Sequence, residues 1–240
     1  MKIRRARLED GPKIIELYYQ VYQGTYPDKS MTDNMSFRQT IEDPQVYWFV
    51  TEVDEQIVGS LILRYDQDHL LAKAHGAAVH PAHQGKKIQT HILREGLDWL
   101  QKNTAGVDVV YATTRSVHQA AQNLVEHFGF KKLGIFPNTH KAAGDYETHS
   151  LAAWFSPSGF KKRFTDYKFH KQLLPWFELV RSEIPDMTRP DEFIEPEAST
   201  KTLVSPPKLE IVQAQEFVSY RFKDLSENHR LEFQFFPFHK

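Results

Sequence analysis

Between Val79 and Gln89 the chain reads Val-His-Pro-Ala-His-Gln-Gly-Lys-Lys-Ile-Gln, and no other stretch constrains the fold as tightly. An apolar, strand-like run from Ala74 to Val79 stops at a proline, passes through a short basic turn, and enters a helix near Ile88. A strand that runs through a tight turn into a helix aims unpaired backbone N–H groups and the positive end of the helix dipole at one spot. Such a spot suits a phosphate or pyrophosphate, and Lys86 and Lys87 add charge beside it.

The rest of the first 155 residues alternates between strand and helix patterns. Lys2 to Arg7 alternates like a short strand. A helix follows with Ile14, Ile15, Leu17, Tyr18 and Val21 at helical spacing and Asp10 at its N-cap. Gly24 to Asn34 is a polar loop, and Phe37 to Glu42 a short helix. Val46 to Thr51 and Ile57 to Arg64 form a hairpin about Asp54-Glu55-Gln56, and Leu70 to Val79 is the strand leading into the turn. After the helix Ile88 to Lys102 come a strand (Val107 to Thr113), a helix (Val117 to Phe128) closed by Gly129, and two last strands, Phe130 to Ile135 and Thr148 to Phe155. This order predicts an α+β fold with a mixed, mostly antiparallel sheet flanked by helices, not the regular βαβ repeat of a dinucleotide-binding domain.

Residues 156–240 differ in texture. Gly159 to Glu183 has helical periodicity interrupted by Pro175. Ile184 to Pro207 is rich in proline and acid and reads as a linker, and Leu209 to Phe222 with Arg230 to Phe236 reads as a hairpin around Ser226-Glu227-Asn228. The expected organisation is therefore a domain at 1–155 and a C-terminal extension at 156–240 of helix, linker and β-hairpin, which could belong to a second, incomplete domain.

Composition narrows the chemistry. A formal net charge of −1 lends no support to nucleic-acid binding. The absence of cysteine removes disulfides, thiolate nucleophiles and cysteine metal sites together. His80, His83 and His91 gather near the turn, but the loop-borne His-x2-His spacing brings no third ligand, so no metal is expected. No apolar run follows Met1 to Arg7 as in a signal peptide, and none is long enough to span a bilayer. The expected compartment is the cytoplasm, with no membrane partner.

The strand order and the turn together resemble the GCN5-related N-acetyltransferase (GNAT) superfamily over residues 2–155. Val79, Pro81, Gln84, Gly85, Lys86 and Ile88 fit its cofactor motif, and Ala121, Leu124, Phe128, Gly129 and Phe130 fit its helix-to-Gly-Phe signature. The resemblance implies acetyl-CoA as the acyl donor, its pyrophosphate on the backbone of Gln84, Gly85, Lys86, Lys87, Ile88, Gln89 and Thr90. It also implies a pantetheine arm along Ala77 and Val79, with His118 in the place of the family's usual asparagine. Three departures stand out: Lys87 in place of glycine, Gln89 in place of glycine or alanine, and Val125 in place of the tyrosine that commonly protonates the thiolate.

The acceptor implied is a small-molecule or peptide primary amine, which attacks the thioester directly. His75, on the strand facing the thioester, is the candidate base, although a hydrogen-bonded sheet histidine is its plainer reading. Tyr111 is the candidate replacement acid, and Asp145, Tyr146, Glu147 and His149 lie where family members bind acceptors. Tyr18, Tyr22, Trp48 and Phe49 read as core or pocket wall. The expected function is N-acetyl transfer. The alternatives are a GNAT-fold module that binds acyl-CoA without turnover and one that binds a protein partner through the C-terminal hairpin. Homodimerisation is left open.

Overall fold

A computed structural model describes residues 1–142, 145–162, 169–190, 193–194, 208–213, 218–224 and 229–235. The chain forms two compact units, Met1–Tyr167 with Leu173–Asp191, and Lys168–Gln172 with Glu192–Lys240.

The first unit runs β1 (Lys2–Arg5), α1 (Gly11–Tyr22), α2 (Asn34–Ile41), β2 (Val46–Val53), β3 (Gln56–Asp66), β4 (Leu71–Val79), α3 (Ile88–Asn103), β5 (Val109–Arg115), α4 (Gln119–His127), β6 (Lys131–Ala142) and β7 (Asp145–Phe155). Seven strands make one sheet in the order β1-β2-β3-β4-β5-β7-β6. Every pairing is antiparallel except β4 with β5. The mixed, mostly antiparallel architecture is the one the sequence order predicts.

Both faces of the sheet are covered, which explains why β2 is apolar at almost every position. Val46, Trp48 and Val50 join Ile14, Leu17 and Tyr18 of α1, Phe37 of α2 and Ile62 of β3 in one core. Phe49, Leu61 and Leu63 join Ile88, Ile92, Leu93 and Leu100 of α3 in the other. Each fully buried Leu or Ile contributes about 1.5–3 kcal/mol through removal from water. Helix α3 lies very close to the sheet: a Cβ on Gly96 would sit 2.8 Å from Leu63 Cδ1, and one on Gly59 2.5 Å from Ile88 Cγ2.

Local details depart from the sequence reading. Asp10 precedes α1 but does not cap it through its side chain. Its carboxylate is taken by Arg4 at 2.6 and 2.9 Å and by the Arg7 N–H at 2.7 Å, while Arg4 Nε also reaches Glu52 at 2.8 Å. This cluster ties β1 to β2 and to the start of α1, and Pro12 supplies the first-turn signal instead. The polar stretch between Phe136 and Thr148 is no simple loop. It extends β6 and β7 into a long hairpin, with register shifts after Lys132 and Phe136; backbone pairing is indifferent to side-chain polarity where one face meets water.

The expected interrupted helix over 159–183 is two helices, α5 (Pro157–Lys161) and α6 (Leu174–Glu183). Ser156 caps α5 by accepting from the Gly159 N–H at 2.9 Å. Pro175 lies in the first turn of α6, where its missing N–H costs nothing. In the second unit, β8 (Phe169–His170) pairs parallel with β9 (Phe193–Ile194). The stretch read as a hairpin is a three-stranded antiparallel sheet, β10 (Lys208–Gln213), β11 (Val218–Asp224) and β12 (His229–Phe235). Leu209 to Phe222 was too long for one strand of ordinary length and divides into two. The acidic Asp191-Glu192 and Glu195 to Glu197 stretch and the Ser226-Glu227-Asn228 turn lie outside the described residues.

Candidate active site

Strands β4 and β5 pair over only four positions, Leu71 with Val109 through Ala74 with Ala112. Beyond Ala74, β4 continues to Val79 without a partner on that edge, while β5 follows β7 as far as Arg115 opposite His149. The sheet opens at this point. Ala77 is exposed although it lies on an interior strand.

A bulge marks the opening. Gly76 has φ +65°, and the β3–β4 register shifts between Ser60 and Ile62. The face presented by β4 changes there: Ala72 and Ala74 belong to the α3-side core, whereas Ala78 belongs to the α1-side core. Side chains satisfy the carbonyls that the bulge and the opening leave over. From α1, Tyr18 donates to the Gly76 carbonyl and Tyr22 to the Ala77 carbonyl at 3.0 Å. Their four-residue spacing puts both hydroxyls on one helix face, one turn apart. Trp48 Nε1 donates to Ser60 Oγ at 2.8 Å, and that hydroxyl lies 3.1 Å from Tyr18 OH, so a buried chain braces the bulge from β2.

Gln89 completes the set. Its Nε2 donates to the carbonyls of Ala78 at 2.7 Å and Ser60 at 2.8 Å. The bulky side chain that departs from the family pattern therefore turns into the sheet, away from the mouth of the turn.

At that mouth, α3 begins with no side-chain cap, so the first-turn N–H groups of Ile88, Gln89 and Thr90 are left to a ligand or solvent. Lys87 occupies the left-handed region at φ +57°, which costs a non-glycine residue about 1–2 kcal/mol. Gly85 has φ +77° with open space around its missing Cβ. Gln84, Gly85, Lys86 and Lys87 are exposed, Ile88 is buried, and Gln89 and Thr90 are half-buried. The strained turn, uncapped helix start and two exposed lysines fit a pyrophosphate, and the opening beyond Ala74 fits an extended arm with backbone amides. Val79 ends β4 half-buried beside this turn, and His118 is exposed at the N-cap of α4.

A second group of polar residues lies on the other face. On β5, Val110 and Ala112 go to the α3-side core, so Tyr111, Thr113 and Arg115 face α1. Lys73 is the register partner of Tyr111, and His75 follows Lys73 on the same face. His75 Nε2 is buried without a hydrogen-bond partner. Burial, with Lys73 beside it, holds the imidazole down at about 4. Tyr111 lies one step inside the closed part of the sheet.

The depressed His75 has a measurable consequence. The unfolded chain binds a proton at this site near pH 6.5, whereas the folded protein resists it to about pH 4, so the contribution is intact above pH 6.5 and is lost as pH falls toward 4. Between pH 7 and 4.5, His75 is expected to account for about 2–3 kcal/mol of lost stability. His75→Gln should remove that part of the pH dependence in urea unfolding; an unchanged dependence would assign the acid sensitivity elsewhere.

Sequence reasoning missed the roles of Arg115, Tyr18 and Tyr22. Arg115 pairs side-on with Glu147 of β7, and the tilted rings of Tyr22 and Tyr26, with centroids 4.6 Å apart, lie within electrostatic reach of it. Strand alternation from Tyr111 and the helical spacing of the tyrosines were the available signals. Among the described residues no group of three or more His, Cys, Asp or Glu side chains could hold a metal, and no helix is long and apolar enough to cross a membrane.

The sequence model of the Acetyltransferase (GNAT) family matches residues 11–130, half of the chain. The chain belongs to the GNAT acetyltransferase family, whose chemistry is acyl transfer from acetyl-CoA. Similar solved structures include ribosomal-protein-alanine N-acetyltransferase from Brucella melitensis, at 17% identity and TM-score 0.57, covering 65% of this chain and 100% of that one. A chimera of Vibrio cholerae spermidine N-acetyltransferase SpeG reaches 18% identity and TM-score 0.56, covering 68% and 100%. YncA from Salmonella typhimurium, solved with its cofactor acetyl-CoA, reaches 21% and 0.55, covering 65% and 93%. At these identities the likeness speaks for the fold. No curated protein matches the chain.

Proposed function

We propose that the protein transfers an acetyl group from acetyl-CoA to a primary amine. The observation that carries this reading is the opening of β4 from β5 beside the uncapped start of α3. When bound, acetyl-CoA supplies an activated acyl carbon. The chain's own residues hold and orient the reactants. The first-turn N–H groups of α3, with Lys86 and Lys87, would take the pyrophosphate, and the β4 edge from His75 to Val79 would take the pantetheine arm as an added strand.

His75 is the proposed proton acceptor. At neutral pH it is uncharged and carries a lone pair, so it does not repel an incoming amine. A base near pKa 4 is too weak to deprotonate an alkylammonium in advance. A nitrogen that is giving its lone pair to an acyl carbon becomes strongly acidic, and a neutral imidazole can then accept its proton. Tyr111 is the proposed hydroxyl for protonating the leaving thiolate, because Val125, in the family's usual position, is buried and apolar.

The test is thiol release from acetyl-CoA with a panel of primary amines, alongside calorimetry of acetyl-CoA binding. Turnover is expected, and His75→Ala should lower kcat by about a hundredfold or more. Because the free amine is the reactive form, the acid limb of the wild-type kcat/KM profile should follow the basicity of each amine in the panel rather than the pH 6.5 of an ordinary histidine. Tight acetyl-CoA binding with no release for any amine would favour the second reading, an acyl-CoA-binding module, which Val125 motivates. No binding at all would reject both.

A further inference from the structure

On the proposed acceptor face, Arg115 is held in an unusual way. Its Nε and Nη2 donate to the two carboxylate oxygens of Glu147 at 2.6 and 2.5 Å. This side-on pairing uses one edge of the guanidinium and leaves Nη1 with no protein partner among the described residues. The Arg115 side chain is 32% exposed, while the Glu147 side chain is only 10% exposed. The acid is the buried anchor and the base is the half-buried tip.

Position gives that tip a purpose. Arg115 ends β5 on the same face as Thr113 and Tyr111, past the point where β4 departs. Tyr22, whose hydroxyl sits on the Ala77 carbonyl at the opening, lies within electrostatic reach of Arg115, and so does Tyr26. A guanidinium locked by a buried carboxylate has already lost its rotamer freedom, so binding an anion costs it little further entropy. A purely structural pair between β5 and β7 would add little, because those strands are already hydrogen-bonded along their length.

The charges around it favour an anion over a polycation. Lys73 and Arg64 both disfavour a second positive charge at His75, Arg64 while paired with Asp43 at 2.9 Å, and Asp28 acts in the opposite sense. Of the nearby acids, Glu147 is neutralised by Arg115, and Asp28 accepts from the Ser30 N–H and hydroxyl.

We propose that Arg115 is the anion-binding residue of the acceptor site and that the acceptor is a small amine bearing a carboxylate, as in a free amino acid. This rests on the acetyltransferase reading, with Nη1 receiving the carboxylate while the amino group points to the opening of β4. Glu147 is then a positioning residue that fixes the guanidinium.

The test uses matched pairs that differ by the carboxylate alone: L-phenylalanine with phenethylamine, L-leucine with isopentylamine, and L-lysine with cadaverine. In the wild-type protein, kcat/KM for thiol release is expected to favour the carboxylate member of at least one pair by about tenfold or more. Arg115→Gln alone takes the guanidinium from the buried Glu147 and risks unfolding the protein. The double variant Arg115→Gln/Glu147→Gln keeps a neutral hydrogen-bonded pair, and it should bring that ratio close to one. Arg115→Lys should fall between, since it keeps the charge but loses the fork. Calorimetry of the same compounds with coenzyme A present gives a readout independent of turnover. Amino-acid binding by the wild type that is lost in the double variant upholds the anion site even if no acetyl group moves, in which case only the transferase reading fails. An unchanged ratio in the double variant, no binding of any amino acid, or a loss confined to acetyl-CoA affinity would overturn the assignment.

Discussion

Gly76→Val is expected to lower stability by about 2–5 kcal/mol, the sum of a left-handed backbone forced on a branched residue and an overpacked site. Gly76 has φ +65°, and its Cβ would lie 2.5 Å from Met31 Cε, 3.1 Å from Tyr18 OH and 3.4 Å from Ile62 Cδ1. None of these can retreat freely. Met31 and Tyr18 are fully buried, and Tyr18 is tied to Ser60 and to the Gly76 carbonyl itself. Relaxation therefore moves α1 away from β4 or flattens the bulge, and either change withdraws the tyrosine hydroxyls from the opening. At about 2–4 °C per kcal/mol, the melting temperature should fall by roughly 4–20 °C. Gly85→Ala is the control: its φ is +77° but its Cβ meets nothing within 4 Å, so backbone strain alone applies, about 1–2 kcal/mol. Equal losses for the two variants would mean that the packing against Met31 and Tyr18 carries no weight.

Gly59→Leu is expected to affect the coenzyme site from the opposite face. Even the first carbon of a side chain would sit 2.5 Å from Ile88 Cγ2, 2.9 Å from Ile92 Cδ1 and 3.3 Å from Thr51 Cβ. Ile88 is the first residue of α3 and Ile92 lies one turn later, so the helix start must shift outward to admit the larger side chain. Overpacking of this kind costs about 1–3 kcal/mol, and a full leucine falls at or above the upper end. The turn at Gln84 to Lys87 moves with the helix, and Gln89 loses its bonds to the Ser60 and Ala78 carbonyls. Acetyl-CoA affinity should fall by about tenfold or more, because anion binding at a helix start depends on where the first-turn N–H groups point. Calorimetry together with urea unfolding separates the two effects. Wild-type affinity in a destabilised variant would show that α3 absorbs the change without moving its N-terminus.

The strand–turn–helix unit proposed for the coenzyme could be read in the sequence because its signals are local. A strand stopping at Pro81, a glycine at 85 and a periodic helix from Ile88 fall within ten residues, and each constrains the backbone directly. The departure at Gln89 was legible as a residue but not as a role. Its amide bonds carbonyls on β3 and β4, Ser60 being 29 positions away in the chain. The acceptor half was less legible for the same reason. Arg115 and Glu147 meet only because β5 and β7 are neighbours, and a basic residue at the end of a strand looks ordinary until its partner is known. His75 was visible as a candidate, but not its depressed basicity, which arises from burial and from Lys73.

The sequence by itself determined most elements of residues 1–135, their order and the strand–turn–helix unit, because hydrophobic period, proline, glycine and strand propensity act over a few residues. Tertiary structure alone decided that β4 parts from β5 after Ala74, that Tyr18 and Tyr22 satisfy the carbonyls exposed there, and that Glu147 fixes Arg115 with one edge free. Each of these joins residues far apart in the chain, so each depends on which strands become neighbours and on where buried polar groups find partners. Local pattern carries no record of either.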